Sequence, residues 1–179
     1  MNGHQRQREE SGRMIETALF ALMGERDFAE ITVSELADRA GVSRRTFYRL
    51  YDRKEEVLHG YFERLCEDYV RRYPALEKYD PERIAEDFFS FWYPHREILL
   101  LLHRCGMEEL LYRELGRASA HVIRSRAGCR QEEDLKYFAC YSAGGFLMLL
   151  HCWISEGMEE EPLSYARRAG RAVLNYFIR

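Results

Sequence analysis

The residue types best suited to binding chemistry lie at positions 44–49, which read Arg-Arg-Thr-Phe-Tyr-Arg. An arginine guanidinium can donate two parallel hydrogen bonds to the O6 and N7 atoms of guanine. Threonine and tyrosine hydroxyls can hydrogen-bond to phosphate oxygens. This combination is typical of a surface that binds nucleic acid.

The charge of this region differs from that of the whole chain, whose formal net charge is −3. A local basic patch on a mildly acidic protein is the pattern expected of a phosphate-binding surface. Most charge runs are only solvated faces, so the patch has to be judged together with the elements around it. Between positions 39 and 54 the charged residues are the basic Arg39, Arg44, Arg45, Arg49, Arg53 and Lys54 and the acidic Asp52.

The elements that position these side chains are two short helices joined by a tight turn. Thr32 is expected to cap the first helix, with Glu35 at the capping-box position. Gly41 ends that helix, because glycine adopts the left-handed conformation at low cost. Ser43 caps the second helix, predicted at about 44–50. The pattern predicts a helix-turn-helix whose second helix enters the major groove of DNA, with Arg44 and Arg45 as the leading base readers.

The run from residue 40 to 58, Ala-Gly-Val-Ser-Arg-Arg-Thr-Phe-Tyr-Arg-Leu-Tyr-Asp-Arg-Lys-Glu-Glu-Val-Leu, resembles the DNA-binding signature of the TetR/AcrR transcriptional regulators. The resemblance covers about residues 8–58 and includes an aromatic residue at Tyr51. It implies that Tyr48 and Lys54 contact phosphates, with Thr32 and Thr46 nearby, and Phe47 is expected to pack inward. Either Arg44 or Arg45 could contact a phosphate instead of a base, and many family members carry a small residue in place of Arg45. The predicted DNA-binding residues are Thr32, Ser43, Arg44, Arg45, Thr46, Tyr48, Arg49 and Lys54.

The rest of the chain predicts an all-α protein of about nine helices, because it has few prolines and no strand-like alternation. The first helix is expected at about 10–23, with Ile15, Leu19 and Leu22 on its apolar face and Gly24 at its end. Residues 1–54 are expected to form a three-helix DNA-binding lobe, and residues 55–179 a helical bundle. The segment from Tyr137 to Met158 is similar to a ligand-domain subtype common in Gram-positive members of the family. The later helices are expected at about 95–104, 107–126, 132–156 and 162–178, with a turn at Gly128-Cys129.

The long helix at 132–156 is apolar on two faces, which predicts burial on more than one side. Gly144 and Gly145 lie in its middle, and Gly170 is one of several small residues in the final helix. Such residues permit close helix packing, which the resemblance also implies in the form of a four-helix dimer interface. A monomer with an ordinary helical core is the alternative. We favour the homodimer, because one short recognition helix covers too little DNA for specific binding.

The bundle is rich in aromatic residues, most of which must form its core. Ligand pockets in helical bundles are mainly apolar, with a few polar groups. We therefore predict a pocket for an apolar or aromatic effector that is uncharged or weakly charged. In the alternative, the bundle docks a partner protein. The predicted ligand-binding residues are Trp92, His95, His103, Tyr112, Tyr137 and Tyr141.

Other function classes find little support in the sequence. There is no Gly-rich phosphate loop, nucleophile elbow or metalloprotease motif, so neither an enzyme nor a cofactor is expected. His103 with Cys105 and His151 with Cys152 diverge on their helices, and no zinc-finger spacing occurs, so no metal is expected. The uncharged stretch at 138–154 is shorter than the roughly 20 residues that span a bilayer. Five cysteines without framework spacing read as reduced thiols in a cytoplasmic protein.

The sequence thus predicts a cytoplasmic, homodimeric transcriptional regulator, interpreted as a repressor at a palindromic operator that a small ligand releases. One alternative is a co-regulator with the same DNA-binding lobe and a partner protein on its second lobe. The other is a small helical enzyme whose helix-turn-helix pattern is coincidental.

Overall fold

The computed structural model describes residues 3–72, 81–126 and 132–177, and all regular structure in these ranges is helical. Short 3-10 helices occupy Phe28–Glu30 and Tyr93–His95. The all-α prediction is confirmed. The α-helices of these ranges are α1 (Gly3–Glu25), α2 (Val33–Arg39), α3 (Arg44–Leu50), α4 (Lys54–Arg72), α5 (Pro81–Trp92), α6 (Arg96–Arg104), α7 (Glu108–Arg126), α8 (Glu132–Ser155) and α9 (Pro162–Phe177).

The chain divides into two compact units, Met1–Arg64 and Leu65–Arg179, here called the N-terminal unit and the C-terminal unit. The division falls inside α4 rather than at its start, where the sequence placed it. Within the N-terminal unit, the ring of Tyr61 packs edge-on against Phe20 of α1 at 5.0 Å, and Arg64 pairs with Glu16 of α1. The first half of α4 therefore belongs to the N-terminal unit.

The core of the N-terminal unit is built from apolar residues at helical spacing, as predicted for α1 by Ile15, Leu19 and Leu22, all buried. The helix is longer than expected. It begins at Gly3 rather than near residue 10, and it continues through Gly24. Most residues added at its start are exposed glutamine, arginine and glutamate. These side chains favour helix on their own, without burial.

In the C-terminal unit α5 packs against α9, and α7 packs against α8. The indole of Trp153 lies between two tyrosine rings, 5.7 Å from Tyr93 and 5.0 Å from Tyr165, both nearly parallel to it. Helix α8 ends near Gly157, whose φ of +81° is the left-handed conformation expected of a glycine stop. The turn predicted at Gly128-Cys129 lies outside the described residues.

Among the described residues, the two apolar faces of α8 differ in burial. Trp153 is 1% exposed, whereas Tyr137 is 69%, Tyr141 70% and Met148 61% exposed. The main neighbour of α8 in this part of the chain is α7, and these three residues remain exposed. Among the described residues, no helix is long and apolar enough to cross a membrane.

Candidate nucleic-acid interface

The first helix of the helix-turn-helix begins with the predicted capping box. The Thr32 hydroxyl accepts a hydrogen bond from the backbone N–H of Glu35 at 3.2 Å, and the Glu35 carboxylate accepts one from the backbone N–H of Thr32 at 3.0 Å. The Thr32 hydroxyl also donates to the Glu35 carboxylate at 2.9 Å. The two hydrogen bonds that this carboxylate accepts from Thr32 hold the pKa of Glu35 below its usual value, with a further contribution from Arg26. The start of α2 is thus closed by two reciprocal bonds.

The turn and the second helix also follow the sequence prediction. Gly41 has a φ of +67°, and the backbone N–H of the next residue, Val42, donates to the carbonyl of Ala37 at 3.0 Å. Ser43 then caps α3, accepting from the N–H of Thr46 at 3.0 Å. A glycine at the left-handed position lets the chain reverse over few residues, which sets α3 across α2.

Helix α3 has one buried face and one exposed face. Phe47 is fully buried, as predicted, and its ring packs edge-on against Tyr48 at 5.5 Å. Tyr48 is 49% exposed, and Arg44, Arg45 and Arg49 are exposed as well. Because Phe47 packs into the core, the side chains of α3 that are predicted to contact DNA lie on its exposed face.

Some of the basic residues near the turn are paired with acidic residues and are therefore less available to bind DNA. Arg39 pairs with Glu25 of α1, and the guanidinium of Arg53 lies 3.9 Å from Glu56. By contrast, Arg44, Arg45 and Arg49 form no ion pair with the residues that the structure describes. Uncompensated positive charge is therefore concentrated on α3, where a phosphate or a base edge would be bound.

Lys54 departs from its expected role on a DNA phosphate. Its ammonium donates to the backbone carbonyls of Phe28, Ala29 and Ile31, at 2.5, 3.1 and 2.7 Å, and lies 4.5 Å from the centre of the Phe28 ring. A lysine ammonium has three N–H donors, so these bonds occupy all of them. Lys54 therefore links α4 to the segment before α2 through hydrogen bonds within the N-terminal unit.

A buried carboxylate of α1 contacts both α4 and Tyr51, the residue that follows α3. Glu16 of α1 is 8% exposed and pairs with Arg64 of α4. It also accepts a hydrogen bond from the Tyr51 hydroxyl at 3.5 Å. Burial, and secondarily the Glu16 charge, raises the pKa of Tyr51. Tyr51, which the sequence analysis noted as an aromatic of the DNA-binding motif, lies on the supporting side of the motif.

The residues predicted to bind an effector fall into separate groups. Trp92 is fully buried, and its ring centre lies 6.4 Å from that of His95. The indole N–H of Trp92 has no hydrogen-bond partner among the described residues. Burial, and next the Arg72 guanidinium, lowers the pKa of His95, which favours a neutral imidazole. An unpaired buried donor beside a neutral imidazole is a place where a ligand could supply the missing acceptor.

His103 and Tyr112 belong to a second group. The Nδ1 atom of His103 lies 2.5 Å from a carboxylate oxygen of Glu108, and the Tyr112 hydroxyl lies 2.7 Å from Nδ1 of His151. Burial, and secondarily Glu108, raises the pKa of Tyr112 to about 12. The sequence analysis did not assign Glu108 or His151 to a site, because their separation along the chain carries no recognisable motif.

Tyr137 and Tyr141 do not belong to either group. Both side chains are more than two-thirds exposed on α8. Among the described residues they therefore do not line an enclosed pocket, although the sequence predicted that they bind an effector.

A capped helix-turn-helix with outward, unpaired arginines defines a DNA-binding regulator of the helix-turn-helix class. Two family models match the chain: "Bacterial regulatory proteins, tetR family" over residues 15–61 and "Transcriptional regulator C-terminal region" over residues 79–175. The chain belongs to the TetR family of transcriptional regulators, and it is a regulator rather than an enzyme. No curated protein sequence matches it.

Solved structures of regulators share the fold at low sequence identity. The dihydroxyacetone kinase operon activator DhaS is 15% identical, with a TM-score of 0.62 over 93% of this chain and 95% of that one. The fatty acid degradation regulator FadR of Bacillus halodurans is 17% identical, with a TM-score of 0.60 over 92% and 94%. FadR of Bacillus subtilis, solved with stearoyl-CoA, is 15% identical, with a TM-score of 0.55 over 88% and 94%.

Proposed function

We propose that the protein is a homodimeric repressor that binds a palindromic operator through α3 and is released from it by a small molecule. The observation that carries this proposal is the exposed face of α3, with Arg44, Arg45 and Arg49 unpaired within the described chain. A two-fold symmetric pair of such helices reads two half-sites about one helical turn apart. Operator symmetry would then mirror protein symmetry.

The homodimer is supported by the uncovered face of α8. Tyr141 and Met148 are large, mostly apolar and exposed, and Gly144 lies between them in the sequence. Among the described residues, a Cβ added at Gly144, Gly145 or Gly170 would meet no atom within 4 Å beyond its chain neighbours and the backbone of its own helix. No close helix contact in this part of the chain explains these glycines, so a second copy of α8 and α9 is the occupant that we propose.

Effector binding is supported by the surroundings of Trp92. The rings of Tyr69, Phe88 and Phe91 lie 6.4, 6.3 and 5.2 Å from it, centre to centre. The unpaired indole N–H could donate to a carbonyl or carboxyl oxygen on an otherwise apolar molecule. The B. subtilis FadR structure holds stearoyl-CoA, whose apolar acyl chain carries a thioester carbonyl, in a related fold. The effector must bind the DNA-incompetent arrangement more tightly than the competent one.

A selection of bound genomic fragments tests the DNA part of the proposal. The selected sites should contain an inverted repeat. Inserting about half a helical turn, roughly 5 base pairs, between the half-sites should abolish tight binding, because it rotates one half-site to the opposite face of the DNA. Tight binding to an isolated half-site would contradict the dimeric reading mode. A reporter gene downstream of the site then distinguishes repression from activation.

Trp92→Phe tests the effector part, because it keeps an aromatic ring and removes the N–H. A thermal-shift screen of apolar compounds with one carbonyl or carboxyl group should give hits whose stabilisation is reduced in this variant. Operator affinity should stay within about tenfold of wild type. If nothing raises the melting temperature, the alternative gains weight: a co-regulator whose C-terminal unit binds a partner protein.

A further inference from the structure

Three helices of the C-terminal unit bring two imidazoles and a carboxylate together. His103 lies near the end of α6, Glu108 is the first residue of α7, and His151 lies near the end of α8. One potential ligand atom from each lies within 4.8 Å of the other two. The rings of His103 and His151 are 6.1 Å apart, centre to centre, and inclined at 70°.

The spacing of this cluster is close to that of a metal centre. Zinc bonds to histidine nitrogen and carboxylate oxygen at about 2.0–2.2 Å, so tetrahedral ligand atoms stand roughly 3.3–3.6 Å apart. The His103–Glu108 contact of 2.5 Å is shorter than this, and the remaining separations reach at most 4.8 Å. Small side-chain rotations would equalise the distances. A metal ion would replace the direct hydrogen bond between His103 and Glu108.

Tyr112 supports this arrangement from outside the cluster. Its hydroxyl engages Nδ1 of His151 at 2.7 Å, which leaves Nε2 of that ring for a metal ion. Metal-binding histidines commonly use their second nitrogen in this way, because the outer hydrogen bond sets the tautomer and the ring orientation. Here Nδ1–H of His151 would donate to the Tyr112 oxygen when Nε2 binds the metal.

Burial of the cluster is intermediate, which suits a metal site that can exchange with solvent. The His103 side chain is 38% exposed and that of Glu108 is 15% exposed. The cluster is thus partly shielded from solvent and partly accessible to it.

We propose that His103, Glu108 and His151 form a binding site for a divalent transition metal ion of the zinc class. Two nitrogens and one oxygen suit zinc, cobalt or nickel better than magnesium or calcium, which prefer oxygen ligands alone. Three protein ligands leave at least one coordination position for water or for a donor atom of a small molecule. The ion would join α6, α7 and α8. This site does not depend on how the protein binds DNA.

The test titrates zinc into the full-length protein without an affinity tag and after removal of bound metal. Wild type should bind one ion per chain. His103→Gln, Glu108→Gln and His151→Gln should each weaken binding by at least about 100-fold, since each removes one of three ligands. Tyr112→Phe should weaken it by about 10- to 100-fold, as loss of an outer hydrogen bond typically does. His59→Gln, in α4, is the matched control and should bind as wild type does.

Cobalt substitution gives a readout that needs no variant. Bound cobalt should show visible d–d bands of a four- or five-coordinate site without the intense near-ultraviolet bands of thiolate coordination. Strong thiolate bands that vanish in Cys152→Ser would overturn the proposal in favour of a cysteine site. Equal zinc affinity in wild type and the triple Gln variant would overturn it too. Operator binding by the zinc-free protein is measured separately, so failure of the metal site leaves the DNA proposal standing.

Discussion

At the scale of single residues, the helix-turn-helix divides its basic side chains between DNA contact and internal support. Arg44 and Arg45 at the start of α3 are exposed and unpaired within the described chain, whereas Lys54 is fully engaged by backbone carbonyls. Counting charges in the sequence could not distinguish side chains that contact DNA from those that support the fold, because both are cationic. The position of hydrogen-bond acceptors in the folded chain decides which cation remains able to bind DNA.

Arg44→Ala should weaken operator binding by about 1–3 kcal/mol and relax the preference at one base pair. Arg44→Lys is the sharper variant, because it keeps the charge but loses the two-pronged hydrogen bond to guanine. It should bind random DNA nearly as wild type does and lose most of the discrimination. Titration of both variants against operator and scrambled duplexes at several salt concentrations measures this. Unchanged operator preference in Arg44→Ala would assign base reading to Arg45.

Lys54→Ala should destabilise the N-terminal unit, because three carbonyls lose a charged donor. Leaving such groups without a partner costs about 1–3 kcal/mol. Hydrogen exchange should accelerate in the segment from Phe28 to Thr32. Arg53→Ala is the control and should leave the exchange unchanged. The Arg53 side chain is 72% exposed, and its ion pair with Glu56 is long at 3.9 Å. If the Lys54→Ala protein has normal stability and its DNA binding depends less steeply on salt, Lys54 contacts a DNA phosphate instead.

At the scale of elements, each helix boundary of the DNA-binding motif is closed by a local hydrogen bond. Thr32 and Ser43 accept backbone N–H groups at the starts of α2 and α3, and Gly41 turns the chain between them. These are interactions over three residues, so they can be read from neighbouring positions in the sequence. The ends of α1 were harder to place, because an exposed polar helix has no periodic signal.

Thr32→Ala should cost about 0.5–2 kcal/mol, as loss of a helix N-cap does. The partner Glu35 adds a pH dependence. Its pKa is lower in the folded protein than in the unfolded chain, so its contribution is full above the unfolded value and is lost as pH falls through the folded value. Glu35→Gln should therefore differ from wild type at neutral pH and converge with it in acid. Melting temperatures across that pH range measure this, and a constant difference would count against the ionised cap.

At the scale of the whole molecule, one face of α8 has no covering element in the described chain. A buried helix and an interface helix look alike in sequence, since both are apolar on two sides. What separates them is whether the second face meets the same chain or another one. The exposure of Tyr137, Tyr141 and Met148 supports the proposal that this face contacts a second copy of the chain.

Gly144→Leu and Gly170→Leu should weaken dimerisation, because a leucine would overfill a close contact between copies at a cost of about 1–3 kcal/mol. Gly24→Leu is the matched control. Gly24 is also an exposed helical glycine with open space around its Cβ position, but it lies in α1. Sedimentation should show a wild-type dimer, weakened only by the first two changes. A wild-type monomer at micromolar concentration would remove the basis for the four-helix interface.

Local patterns alone were enough to predict the helical class, the capped motif and the inward position of Phe47. Caps, turns and helical periodicity act over a few residues, so their causes are adjacent in the chain. The role of Lys54 was not predictable in this way, because its acceptors lie more than twenty residues earlier.

The tertiary structure alone decided which distant polar groups meet. His103 with Glu108 and His151 with Tyr112 are brought together by the packing of α6, α7 and α8, and the unpaired N–H of Trp92 becomes visible only when its surroundings are known. Long-range proximity depends on how helices pack, and the period of a helix says which face is apolar but not which neighbour it meets. For this reason the DNA-binding motif follows from sequence, while the candidate metal and effector sites follow from the fold.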